Sequence, residues 1–169
     1  MPKIRKNCCA SLSPKPIENK MKAENQQLRL NEAGYALLKK HEGLALKAYL
    51  CPAGKLTIGY GHTENVKSGD VIDAQDAEAL LEADVELFER GVARMVEIGL
   101  NENQFSALVC FTFNVGLQAF YRSTLLNLLN RGWMAQVPAQ LRRWTKAGGK
   151  ELAGLKARRR DEIILWNRV

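Results

Sequence analysis

Three residues capable of different chemistry fall within one short stretch, HEGLALKAYLCPAGKLTIGYGHT at 41–63: Glu42, Cys51 and Thr57. A carboxyl group can give or take a proton, a thiol can act as base or nucleophile once ionised, and a hydroxyl can orient a water. Together they could split a bond with water, provided that the chain brings them to one place. Other hydrolytic chemistries are poorly supplied. The chain holds two histidines, His41 and His62, and four cysteines, Cys8, Cys9, Cys51 and Cys110, none at zinc-ligand spacing. A metal site and a Cys–His pair are therefore not expected, nor is any cofactor. The adjacent Cys8 and Cys9 read as plain reduced thiols.

The local pattern says how the three residues could meet. Leu30, Ala33, Leu37, Leu38 and His41 recur at helical spacing after Asn31, a good N-cap, and Gly43 is a natural stop directly after Glu42. Leu44, Leu46, Ala48 and Leu50 then alternate with Ala45, Lys47, Tyr49 and Cys51. Beyond Pro52-Ala53-Gly54, Leu56, Ile58 and Tyr60 alternate with Lys55, Thr57 and Gly59, which predicts a hairpin. If Cys51 pairs with Lys55, Tyr49 pairs with Thr57. Cys51 and Thr57 then share a face as diagonal neighbours, about 7 Å apart. A helix ending at Gly43 delivers Glu42 to the edge of that face.

From Asp73 onward the periodicity is helical. Ala77, Leu81, Val85, Phe88, Val92 and Met95 form one apolar stripe, and NENQ at 101–104 reads as a capping box. The helix that follows, with FSALVCFTFNVG, is apolar almost all round, which marks the buried centre of a helical lobe. Ser123 can cap STLLNLLNRG; a further helix is expected over Trp133 to Trp144 and a last one from about Ala153 to Asn167, separated by Gly148-Gly149. On that last helix Leu152, Leu155, Arg159, Glu162 and Trp166 share a face, so Arg159 and Glu162 should be a partnered structural pair. Arg142, Arg143, Lys146, Lys150, Lys156, Arg158 and Arg160 read as a solvated basic face. The prediction is an α+β protein, with a small β-hairpin lobe, a larger mainly helical lobe and a cleft between them.

With 169 residues, 46% apolar and 25% charged, the chain suits one globular domain. No run approaches the ~20 apolar residues of a membrane helix, so stable membrane insertion is not expected. Residues 1–27 hold three of the five prolines and little periodicity, and read as a flexible basic tail, with order beginning near Asn31 and the folded domain spanning 28–169. The net charge is +7, and residues 128–169 alone carry ten basic and three acidic groups, which suggests an anionic polymer as partner. Nucleic acid is not the expected one, because no aromatic-interleaved basic strand or helix-turn-helix spacing stands out.

Glu42, Cys51 eight residues later and Thr57 five after that match the E-x8-(D/C)-x5-T signature, and the chain resembles the phage-type lysozymes. The likeness extends to EGL at 42–44, Ala48-Tyr49, TIGYGHT at 57–63, FTFNVG at 111–116 and RRWTKAGGKELAGLKARRRDEIILW at 142–166. It implies a lysozyme-like fold and hydrolysis of the β-1,4 bond between N-acetylmuramic acid and N-acetylglucosamine in bacterial peptidoglycan. Glu42 would be the general acid. Cys51, where many relatives carry Asp, would either activate water or shape the site, and Thr57 would position the water. The resemblance also implies that His62 pairs with Asp84, that Phe113 lines the cleft floor or simply packs in the core, and that Thr124 lies near the sugar. Arg159 could instead reach Glu42. A monomer is expected, held in the host bacterial cytoplasm until lysis, because residues 1–30 do not resemble a signal-anchor helix. The rival readings are a basic module that binds cell wall without cutting it and a membrane-disrupting antibacterial protein.

Overall fold

The computed structural model describes residues 24–51 and 54–168. Of the tail expected over 1–27, residues 1–23, with Cys8 and Cys9, lie outside the described residues, as does the Pro52-Ala53 part of the turn. Eight helical segments and two small hairpins follow in order among the described residues from Glu32 onward. Helix α1 (Glu32–Glu42) opens on Asn31, whose side chain accepts from the Gly34 N–H at 2.9 Å, and closes on Gly43 at φ +72°. That left-handed angle suits glycine, so the helix stops one residue after the acid.

Strands β1 (Ala45–Leu50) and β2 (Leu56–Gly59) pair antiparallel, Tyr49 opposite Thr57 and Leu50 opposite Leu56, with an irregularity between Ala45 and Tyr49. The Cys51 N–H donates to Lys55 O at 2.9 Å, extending the ladder by one pair. Residues 70–72 lie along the other edge of β1, where Ala48 N–H bonds Asp70 O and Ile72 N–H bonds Leu46 O. Thr57, Ile58 and Gly59 are all buried, so β2 is covered on both faces rather than alternating. The reason is helix α2 (Ala74–Met95), which packs against it.

The helical lobe is built round α3 (Glu102–Val115), packed by α1, α2 and α7 (Ala153–Trp166). Every residue from Phe105 to Thr112 is buried, as a helix apolar all round requires. Phe111 meets Phe120 and Trp144 edge-on, at centroid distances of 6.3 and 5.4 Å. Burying each such ring contributes roughly 1.5–3 kcal/mol. The Asn101 capping box and the Ser123 cap form where the side-chain pattern places them, and Asp73 with Asp76 adds a further capping box at the start of α2. Short helices α4 (Leu117–Tyr121) and α5 (Thr124–Asn130) complete this side.

Three expectations are corrected. Order begins before Asn31, because Asn25 is fully buried and its amide reaches Val96 O, Ile98 O and the Leu100 N–H, tying the entry segment to the link between α2 and α3. The helix expected over Trp133–Trp144 is broken into a 3-10 turn (Met134–Gln136) and helix α6 (Val137–Leu141), with Pro138 at the start of the latter. Gly148-Gly149 is the turn of a miniature hairpin, β3 (Lys146–Ala147) with β4 (Lys150–Glu151), after which Leu152 is 44% exposed and not on the inward face.

Candidate active site

Glu42 is the last residue of α1, and its side chain keeps 22% of its surface exposed. Two things hold it. Arg158 Nη1 donates to Oε1 at 2.6 Å, and on the opposite lobe Gly61 runs beside Oε2, close enough that a Cβ there would stand 3.8 Å from it. Gly61 has φ +95° and ends the tight turn in which Ile58 and His62 exchange both backbone hydrogen bonds at 2.9 Å. A residue with a side chain would strain that turn and crowd the carboxylate.

The turn also places His62. Its Nδ1 lies 2.9 Å from Asp84 Oδ2 on α2 and its Nε2 lies 2.9 Å from Glu64 O, so each ring nitrogen faces an acceptor. This pair ties the hairpin lobe to the helical lobe. Between the lobes runs a groove of about 370 Å³ lined by Gly61, His62, Glu64, Asp84, Phe88 and Phe113. Phe113 is half-buried at the end of the core helix, its ring 5.0 Å from Phe88. It belongs to the groove wall and packs on the core at once.

Cys51 is half-buried at the end of the hairpin. Thr57 is buried, and its hydroxyl donates to Lys55 O at 3.1 Å. Its only proton is spent on that carbonyl, so toward a water the oxygen can only accept. Thr124 is the exposed first residue of α5, next to the buried cap Ser123. Cys110, far inside α3, is fully buried and its thiol is pushed well up in pKa by burial, which keeps it inert. Among the described residues no three His, Cys, Asp or Glu side chains come close enough to hold a metal ion.

Arg158 is the residue that sequence reasoning placed wrongly. It is not on a solvated face: its side chain is 5% exposed, and besides Glu42 it reaches Cys110 O at 3.3 Å and Glu162 Oε1 at 3.4 Å. Arg159, the alternative partner for the acid, points elsewhere. It lies over the Phe111 ring at 4.9 Å, and its Nη2 donates to Asn114 Oδ1 at 2.8 Å and Glu162 Oε1 at 2.9 Å. Its Nε stands 2.8 Å from Glu162 Oε2, an ion-pair distance but not aligned for a hydrogen bond. The Arg159–Glu162 pair is thus internal and partnered. A signal for Arg158 did exist: Arg158, Glu162 and Leu165 fall at i, i+4 and i+7, one inward face of α7.

Comparison with known proteins places these residues in a family context. The phage lysozyme family model matches residues 39–162. The endolysin of Bacillus phage PZA is 46% identical over 143 residues, 83% of this chain and 55% of that protein, so the chain spans about half its length. The endolysin of Acyrthosiphon pisum secondary endosymbiont phage 1 is 41% identical over 143 residues, 82% of this chain and 98% of that protein. Among solved structures, the muramidase domain of SpmX from Asticaccaulis excentricus superposes with a TM-score of 0.80 at 36% identity, covering 85% of this chain and all of that one.

Proposed function

The chain belongs to the phage lysozyme family, and from that premise we propose that it is an endolysin, a glycoside hydrolase that cuts the β-1,4 bond between N-acetylmuramic acid and N-acetylglucosamine in peptidoglycan. The observation that carries the reading is Glu42: one carboxyl at a helix end, partly exposed, held through Oε1 and with Oε2 beside Gly61, a residue that lines the groove between the two lobes.

Glu42 gives its proton to the glycosidic oxygen as the bond from that oxygen to the anomeric carbon breaks. A water supplies the new bond to that carbon and must lose a proton. Thr57, able only to accept, takes a hydrogen bond from this water and fixes its orientation. Cys51 sits on the same hairpin face, two pairs beyond Tyr49–Thr57, and as thiolate it is the group that takes the water's proton. Solvent exchange then returns both groups to their starting states. The Phe113 and Phe88 rings offer an apolar wall to a sugar face, and His62–Asp84 keeps the two lobes in register. Thr124 is assigned a supporting contact to the saccharide.

The residues in this reading all come from one chain, so a monomer suffices; light scattering is the check. The substrate lies outside the cytoplasmic membrane, and among the described residues no helix is long and apolar enough to cross it. The charge of residues 1–27 motivates storage in the host cytoplasm and release through a lesion made by another protein, which fractionation before lysis tests. The reaction itself is tested by mass spectrometry of digested peptidoglycan. N-acetylmuramic acid at the new reducing ends is expected; N-acetylglucosamine there, or released peptides, would overturn the assignment.

A further inference from the structure

Glu162 takes no part in the reaction described above, yet among the described residues it is the most completely enclosed acid, with none of its side chain exposed. Its Oε1 receives Arg158 Nε at 3.4 Å and Arg159 Nη2 at 2.9 Å, and its Oε2 faces Arg159 Nε at 2.8 Å. The same Arg158 guanidinium extends Nη1 to Glu42 at 2.6 Å. Two carboxylates and two guanidiniums thus form one chain of contacts from the middle of α7 to the groove, with Cys110 O and Asn114 Oδ1 of α3 as its neutral acceptors. The facing elements bring Glu42 from α1 and Cys110 from α3, while α6 brings no titratable side chain.

We propose that Glu162 is a positioning residue for the groove acid. Its carboxylate anchors the guanidinium that holds Glu42 Oε1, and it offsets the positive charge that stands behind that acid. The offset is the functional part. With Glu162 ionised the four groups sum to no net charge. With Glu162 neutral, the two guanidiniums, Arg158 in contact with Glu42 and Arg159 behind it, are left with Glu42 as their sole carboxylate, and nearby positive charge favours a carboxylate over the carboxylic acid that must donate the proton. Burial raises the Glu162 carboxyl to about 7, with Arg159 and then Arg158 pulling it down. The arrangement therefore sits where its charge can matter under lytic conditions.

The inference rests on Glu42 being the acid. It is tested by kcat and KM against pH, on soluble peptidoglycan oligomers, for Glu162→Gln and Arg159→Gln. Glu162→Gln is expected to move the alkaline limb of kcat to lower pH by roughly one unit and so cut kcat on that limb about ten-fold, with KM changed less than about two-fold. Arg159→Gln removes a positive charge instead, and its limb moves to higher pH. The opposite signs separate charge balance from simple damage to packing, which shifts neither limb. If Glu162→Gln does not fold, the upward shift in Arg159→Gln and its reversal in the double variant, where charge balance is restored, decide the matter alone. Unmoved limbs, or limbs that move the same way, would overturn the proposal. Should Glu42 not be the acid, Glu42→Gln retains activity, a failure distinguishable from loss of the limb shift alone.

Discussion

In the proposed mechanism Cys51 is the residue on which the chemistry turns after Glu42. If its sulfur takes a proton from water, Cys51→Asp keeps a base at that place and retains activity. Cys51→Ala loses most of it, and Cys51→Ser falls between, since a hydroxyl holds water but is a poor base. Turnover of purified folded variants measures this, and wild-type turnover in Cys51→Ala would end the chemical role of the thiol. Alkylation of the wild type adds a second readout, because Cys110 is shielded by burial and by its raised pKa. At this scale the position of Glu42 at the end of α1, and of Cys51 and Thr57 on one hairpin, was legible from spacing and from Gly43. Arg158 was not. Three successive arginines read as solvent-facing when counted by type. Only the phase of α7, set by Ile163, Leu165 and Trp166 turning inward, shows that two of them are interior.

At the scale of elements, the parts written in side-chain caps were easy to read. Asn31, Asp73, Asn101 and Ser123 each satisfy a free N–H at a helix start, and each helix begins where its cap stands. The 133–151 stretch was not legible, because its apolar pattern fits one helix while Pro138, Gly148 and Gly149 divide the backbone. The entry segment was missed for another reason: Asn25 binds three backbone groups some seventy residues away, and no local pattern announces such a contact. Its amide is buried, so Asn25→Ala strands those partners and is expected to destabilise the fold by roughly 1–3 kcal/mol. Removal of residues 1–23 alone is expected to cost less than about 1 kcal/mol. Thermal unfolding of both variants checks this; equal, small shifts would mean that Asn25 contributes nothing.

The whole molecule carries +7, concentrated in its last third, although Arg158 and Arg159 are interior and Glu162 offsets one of them. The remaining exposed cations, among them Arg142, Lys156 and Arg160, still give that surface a positive field toward anionic wall polymers. Lysis of intact walls is therefore expected to slow as salt rises, since screening shortens from about 10 Å at 0.1 M. Hydrolysis of a short neutral oligosaccharide should respond much less, and equal sensitivity of the two would remove the steering explanation. The division into a hairpin lobe and a helical lobe was legible from the change of periodicity at Asp73; their mutual placement, set by His62–Asp84 and by α2 packing on β2, comes from contacts between distant segments.

The account rests most heavily on one proton. Glu42→Gln keeps the size of the side chain and an oxygen toward Arg158 but cannot donate an acid proton. Clearing of chloroform-treated cells by the folded variant is the direct measurement, with circular dichroism and melting temperature confirming the fold. A fall of at least ~100-fold is expected; near-normal clearing by a well-folded Glu42→Gln would contradict the account at its centre.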